Sequence, residues 1–146
     1  MPTSDGITDA DWDVLKDIAW EMFHALQQDC DDSLLRQRLF VTLDRFERKY
    51  GRLPSLLITR ADFTEDDSLP ERLLKEAFVT AEELGDVEGQ VSAIDSLASH
   101  YLSTNREASL VGFWLDRMEK LLEGFDDDDF KKNLTEMRQS NTYPHI

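Results

Sequence analysis

The stretch SLPERLLKEAFVTAEELG, residues 68–85, decides the fold. Ser68 and Glu71 have the spacing of a capping box, and Pro70 falls in the first turn, where a missing N–H costs little. Leu73, Leu74, Ala77, Ala81 and Leu84 then recur every three or four residues until Gly85 supplies a stop. The segment therefore reads as an amphipathic helix from start to finish. Its neighbours are equally free of breakers, since Gly occurs 6 times and Pro 4 times in 146 residues. That composition favours helix over a turn-rich β fold.

Toward the N-terminus the same spacing predicts two helices. The first runs from about Thr8 to Asp29, with Trp12, Leu15, Ala19, Met22 and Leu26 as its stripe and Ile18 and Phe23 widening it. Thr8 or Asp9 caps it, and Asp9, Asp11 and Asp13 suit the positive end of the helix dipole. The second runs from about Asp32 to Tyr50, with Leu35, Leu39, Leu43, Phe46 and Tyr50 inward; Leu34, Arg38, Val41, Arg45 and Arg48 share the other face. Toward the C-terminus three more follow. One begins at Asp86 and carries Val87, Val91, Ile94, Ala98 and Tyr101. The next begins near Asn105 and carries Val111, Trp114, Leu115, Met118 and Leu122. A short last helix runs from Asp126 to about Gln139 with Phe130, Leu134 and Met137 inward. Most connections are two to four residues, which makes neighbours antiparallel.

The expected architecture is one all-α domain over residues 1–146, a bundle or repeat-like array of about six antiparallel helices, with loose tails at residues 1–7 and 141–146. One connection differs: Gly51–Asp67 is a long loop holding Leu53, Leu56, Leu57 and Ile58, then Asp62, Glu65, Asp66 and Asp67. Either its aliphatic residues pack across the gap between the second and third helices, or the loop belongs to an interface.

Charge is large, negative and unevenly placed. Asp and Glu total 31 against 16 Lys and Arg, a formal −15. Residues 1–35 carry −8, 36–60 carry +5, 61–100 carry −9 and 101–146 carry −3. So much like charge weakens the compact state by self-repulsion and calls for a basic partner. The basic island of Arg36, Arg38, Arg45, Arg48, Lys49, Arg52 and Arg60 is expected to neutralise the acidic helices beside it. It is not expected to bind nucleic acid, because the surrounding acid repels phosphate across a Debye length of ~8 Å. One cysteine, Cys30, excludes an internal disulfide; no apolar run approaches the ~18 residues that span a bilayer, and no secretory signal is visible. These features point to the cytoplasm.

Residues Ala77–Glu123 resemble the tetratricopeptide helical-repeat family, on Leu84-Gly85-Asp86 before one helix, Leu97-Ala98 and Tyr101 within it, and Ala108 opening the next. The Tyr101 to Ala108 interval is about two residues short of the family's, and Gly112 stands where an aromatic is expected. The resemblance covers one hairpin, about a third of the chain. It implies a helical hairpin that stacks on a neighbour and binds a protein or peptide without chemistry of its own.

Catalytic patterns are sparse. Glu21 and His24 form half of a Glu-x-x-His di-iron motif, and the second half is missing. Cys30 lies between acidic stretches that disfavour a thiolate. Asp126 to Asp129 lack the alternating ligands and central Gly of a calcium loop. The expectation is therefore a protein that is no enzyme and has no cofactor or metal site. Trp20 lies at the edge of the first stripe, either packed on the second helix or exposed as an interface anchor beside Asp13, Asp17 and Glu21. The expected partner-binding residues are Asp13, Asp17, Trp20, Glu65, Asp66, Asp67, Glu82, Glu83, Asp126, Asp127, Asp128 and Asp129. The leading expectation is an immunity or inhibitor protein that neutralises a basic partner such as a cognate bacterial toxin. The alternatives are a peptide-binding adaptor or chaperone built on the repeat-like hairpin, and a DNA mimic. Self-repulsion favours a monomer, while Trp20 and the Leu34/Val41 face allow a weak homodimer.

Overall fold

The computed structural model describes residues 3–142. It is all-α, and among the described residues it holds seven helices and no strand: α1 (Asp9–Gln27), α2 (Ser33–Tyr50), α3 (Pro54–Phe63), α4 (Pro70–Leu84), α5 (Val87–Ser103), α6 (Ala108–Leu122) and α7 (Asp128–Thr142). Consecutive helices pack on one another. In addition α3 packs on α5 and α5 on α7, while α4 and α6 lie on α5 without a close backbone approach to each other. Helix lengths range from 10 to 19 residues, and no repeat is evident among the described residues.

The seventh helix is α3, which replaces the expected long loop. Pro54 opens it behind an extended Leu53, and Leu56, Leu57, Ile58 and Ala61 are buried along it. Three adjacent aliphatic residues cannot form a single amphipathic stripe, so periodicity hides this helix. A helix apolar on several sides is stable only inside a core. Here the sides divide between two cores. Leu56 joins Ile7 from the segment before α1 and Leu15, Ile18, Met22, Leu39, Leu43 and Phe46 from α1 and α2. Leu57, Ile58 and Ala61 join the larger core of α4 to α7, in which Ile94, Leu97, Tyr101 and Leu115 are fully buried. α3 is thus the joint between the two halves of the fold.

The expected loose segment at residues 1–7 is ordered from Thr3 onward. Ile7 is fully buried, and the Asp5 carboxylate accepts hydrogen bonds from the Ser55 N–H (2.7 Å) and hydroxyl (2.9 Å). Asp5 therefore satisfies the open N-terminal turn of α3 from 50 residues away, an anion at the positive end of a helix. At the other end α7 reaches Thr142, so the expected tail from Asn141 begins inside a helix; residues 143–146 lie outside the described residues.

The capping box at Ser68 does not form. α4 begins at Pro70 with Leu69 in the cap position, and the Ser68 N–H and hydroxyl both turn back to Asp66 (2.9 and 2.6 Å). With Pro at the first position, Ser68 lies one residue too early to cap. Thr8 does cap α1, accepting from the Asp11 N–H, and Asp86 caps α5, accepting from the Gly89 N–H at 2.9 Å.

Two cations of the basic island pair with the acidic helices on either side of it, while Arg60 pairs inside the island with Asp44 and Glu47. Lys49 meets Asp11 on α1 (2.7 Å), and Arg52 grips both carboxylate oxygens of Glu76 on α4 (2.6 and 2.8 Å). The Lys49 ammonium and then the Tyr50 hydroxyl lower the Asp11 pKa, and the Arg52 guanidinium lowers that of Glu76.

Candidate protein-binding surface

Only α2 approaches α1 closely along the backbone, and Leu56 of α3 joins the same buried side, so the other side is left uncovered. Leu15, Ile18 and Met22 fill that side. Trp20 lies two residues from both Ile18 and Met22, about 160° round the helix from each. Its side chain is accordingly 62% exposed, which resolves its two expected placements in favour of the surface. Phe23 and Leu26 leave the expected stripe for the same reason. Phe23 is 50% exposed, about 100° from Met22, and Leu26 stands with Leu34 at the bare turn end of the α1–α2 hairpin. Trp20 stacks on Phe23 (centroids 6.2 Å apart) and meets the His24 ring edge-on at 4.4 Å. These contacts fix a broad aromatic surface on the outside of the helix.

Asp13 and Asp17, seven and three residues before Trp20, rise on the same side of α1. Asp13 makes a 3.4 Å pair with Lys16, both side chains about 60% exposed, a contact of little energetic weight. Asp17 and Glu21 are exposed. An aromatic anchor thus sits beside carboxylates that solvent alone surrounds on most sides.

The other expected carboxylates are spread over three further places and have mixed uses. Glu65, itself mostly exposed, pairs with the half-buried Arg36 at 2.9 Å. Asp66 closes the turn before α4 on Ser68, whose hydroxyl and N–H lower its pKa, and Asp67 is exposed beside it. Glu82 lies 4.0 Å from Arg117, and Glu83 is exposed. Asp126 is bound by Lys131, and Asp127 caps α7 by accepting from the Phe130 N–H at 3.0 Å. Asp128 and Asp129 occupy the first turn of α7, exposed, where their charge complements the helix dipole. The twelve residues do not form one patch. Asp13, Asp17 and Trp20 are the group the structure brings together.

Sequence reasoning missed a second surface. A cleft of about 510 Å³ opens between α1, α3 and α5, with Phe130 of α7 at its edge. Trp12 and Lys16 form the α1 wall, Thr59 and Asp62 come from α3, and Glu88 and Ser92 from α5. Asp62 keeps one edge open to solvent, yet crowding in the crevice raises its pKa to about 6; a hydrogen bond from Ser96 opposes this and the nearby Asp95 charge adds to it. Burial likewise raises Asp95, against a hydrogen bond from Asn133. A signal was present: Glu88, Ser92, Asp95, Ser96 and Ser99 follow helical spacing as a polar stripe on α5. Its α3 counterpart was hidden with α3 itself.

Glu21 and His24 are both exposed, and His24 packs on Trp20. Cys30 is exposed, its thiol 3.7 Å from the Gln28 carbonyl oxygen. No family model matches this chain, and no curated protein or solved structure is detectably similar to it. Among the described residues no helix is long and apolar enough to cross a membrane.

Proposed function

We propose that this chain is a non-enzymatic cytoplasmic binding protein that neutralises a basic protein partner, in the manner of an immunity or inhibitor protein acting on a toxin. The observation that carries the reading is the Trp20 surface: a 62% exposed indole, braced by Phe23 and His24, on a helix packed on one side only, with Asp13 and Asp17 alongside. Interfaces concentrate their energy in aromatic anchors of this kind. The net charge of −15 supplies long-range attraction for a basic partner, which raises the encounter rate at low salt. The test is a complex with the basic protein encoded beside this chain's gene, measured by calorimetry at low and high salt. Affinity is expected to fall with salt and to drop at least a hundredfold in Trp20→Ala. Binding that ignores both salt and Trp20 removes the proposal.

The cleft supports a second reading, a peptide-binding adaptor. Its walls come from α1, α3, α5 and α7, so an extended segment laid there would touch every odd-numbered helix. Asp62→Asn with Glu88→Gln would then abolish binding, and Trp20→Ala would leave it intact.

A further inference from the structure

α4 and α6 each pack on α5 without a close backbone approach to one another; the Phe78 and Trp114 rings meet between them, centroids 5.3 Å apart, and a crease opens alongside. The crease encloses about 580 Å³. Phe78 of α4, Val87 at the start of α5 and Leu121 of α6 supply its apolar surface; Arg117 and Lys120 line the α6 side, and Glu82 lines the α4 side. A second hollow of about 420 Å³ lies across α6, lined by the same two cations together with Phe113 and Asp116. Val79 and Leu84 of α4 and Phe113 of α6 are also exposed.

Arg117 is held in an unusual way for a chain so rich in acid. Its guanidinium carbon lies 4.8 Å from the Phe78 ring centre, 5.4 Å from Trp114 and 5.6 Å from Phe113. Three rings fix its plane, which leaves the N–H fork preorganised. Glu82 approaches only to 4.0 Å, beyond hydrogen-bond length. Most cations of this chain are consumed by carboxylates; here one sits on aromatic faces beside an open apolar crease.

We propose that this crease is a docking site for an acidic amphipathic helix of a partner protein. Shape and charge both support that occupant. Two helices set apart on a third leave a groove along which a further helix can lie. The α6 side of the groove offers Arg117 and Lys120 to carboxylates flanking the incoming apolar stripe. The site lies on other helices than the Trp20 surface and takes the opposite charge, so it stands independently of the proposed basic partner.

The test uses two synthetic 16-residue helical peptides with the same Leu stripe, one flanked by Glu and its twin by Lys, titrated into the ¹⁵N-labelled protein. The Glu peptide is expected to shift the amides of Val87, Gln90 and Leu121 and the Trp114 indole N–H in a salt-dependent manner. The double variant Arg117→Gln/Lys120→Gln is expected to weaken it at least tenfold. Val87→Asp should do the same without harm to α5, because an added acid suits a helix N-terminus. The proposal is overturned if the Glu peptide leaves these signals unmoved or if the Lys twin shifts them equally. It is also overturned if dodecanoate moves them where the peptide does not, or if sedimentation shows a dimer of this chain that Val87→Asp dissolves.

Discussion

Truncating Leu56 and Leu57 to alanine, one at a time, tests whether α3 joins the two cores. The adjacent side chains are 2% and 1% exposed and belong to different clusters, Leu56 to that of α1 and α2, Leu57 to that of α4 to α7. Each substitution removes three buried carbons, about 2.4 kcal/mol at ~0.8 kcal/mol per methylene. The cavity left in a packed interior adds about 1 kcal/mol more, so each variant is expected to lose ~3–4 kcal/mol. Urea denaturation followed by circular dichroism and tryptophan fluorescence measures both. The two probes should give one coincident transition in each variant, because α3 ties the cores into one cooperative unit. A loss below ~1 kcal/mol at Leu57 would refute the assignment of this segment to the core. Separate transitions by the two probes in Leu56→Ala would refute the joint.

Three further outcomes follow from particular contacts. Trp20→Ala should change stability by no more than ~0.5 kcal/mol, since the indole is mostly exposed; a loss of several kcal/mol on urea denaturation would return Trp20 to the core. Asp62→Asn should stabilise the fold at neutral pH. A folded-state pKa near 6, above the ordinary carboxylate value, makes the ionised form costly above pH 6, and that cost vanishes as pH falls through about 6 toward 4. Full conversion of the shift gives ~3 kcal/mol, and solvent at the open edge reduces it to ~1 kcal/mol. The gain should be present at pH 7.5 and absent at pH 4 in paired denaturation curves; equal gains at both would remove the electrostatic explanation. Gly89→Ala should destabilise by ~1 kcal/mol although alanine is the better helix former. The new Cβ falls 2.3 Å from the Asp86 carboxylate oxygen and must displace the cap, so melting temperature should fall, and a rise would contradict the geometry.

The amino-acid sequence by itself determined what depends on local spacing and composition. Helices with one apolar stripe, such as α4 and α6, announce themselves because covering one side of a 3.6-residue turn leaves a readable period. The pairing of the basic island with Asp11 and Glu76 was also legible, because opposite charge on neighbouring elements seeks contact over a long range. The tertiary structure alone decided the rest. α3 is buried on several sides and so has no stripe to read. Asp5 caps α3 from 50 residues away, a partnership that no local window contains. Trp20 sits on the surface because α2 and Leu56 of α3 cover only the opposite side of α1, and which side is covered is a property of topology. The eleven expected carboxylates look alike in sequence, and only the folded chain separates Glu65 on Arg36 and Asp127 on its helix cap from Asp13 and Asp17 beside the exposed indole. Charge is written residue by residue, but whether a charge is spent inside the fold depends on which side chains folding brings within a few ångströms of it.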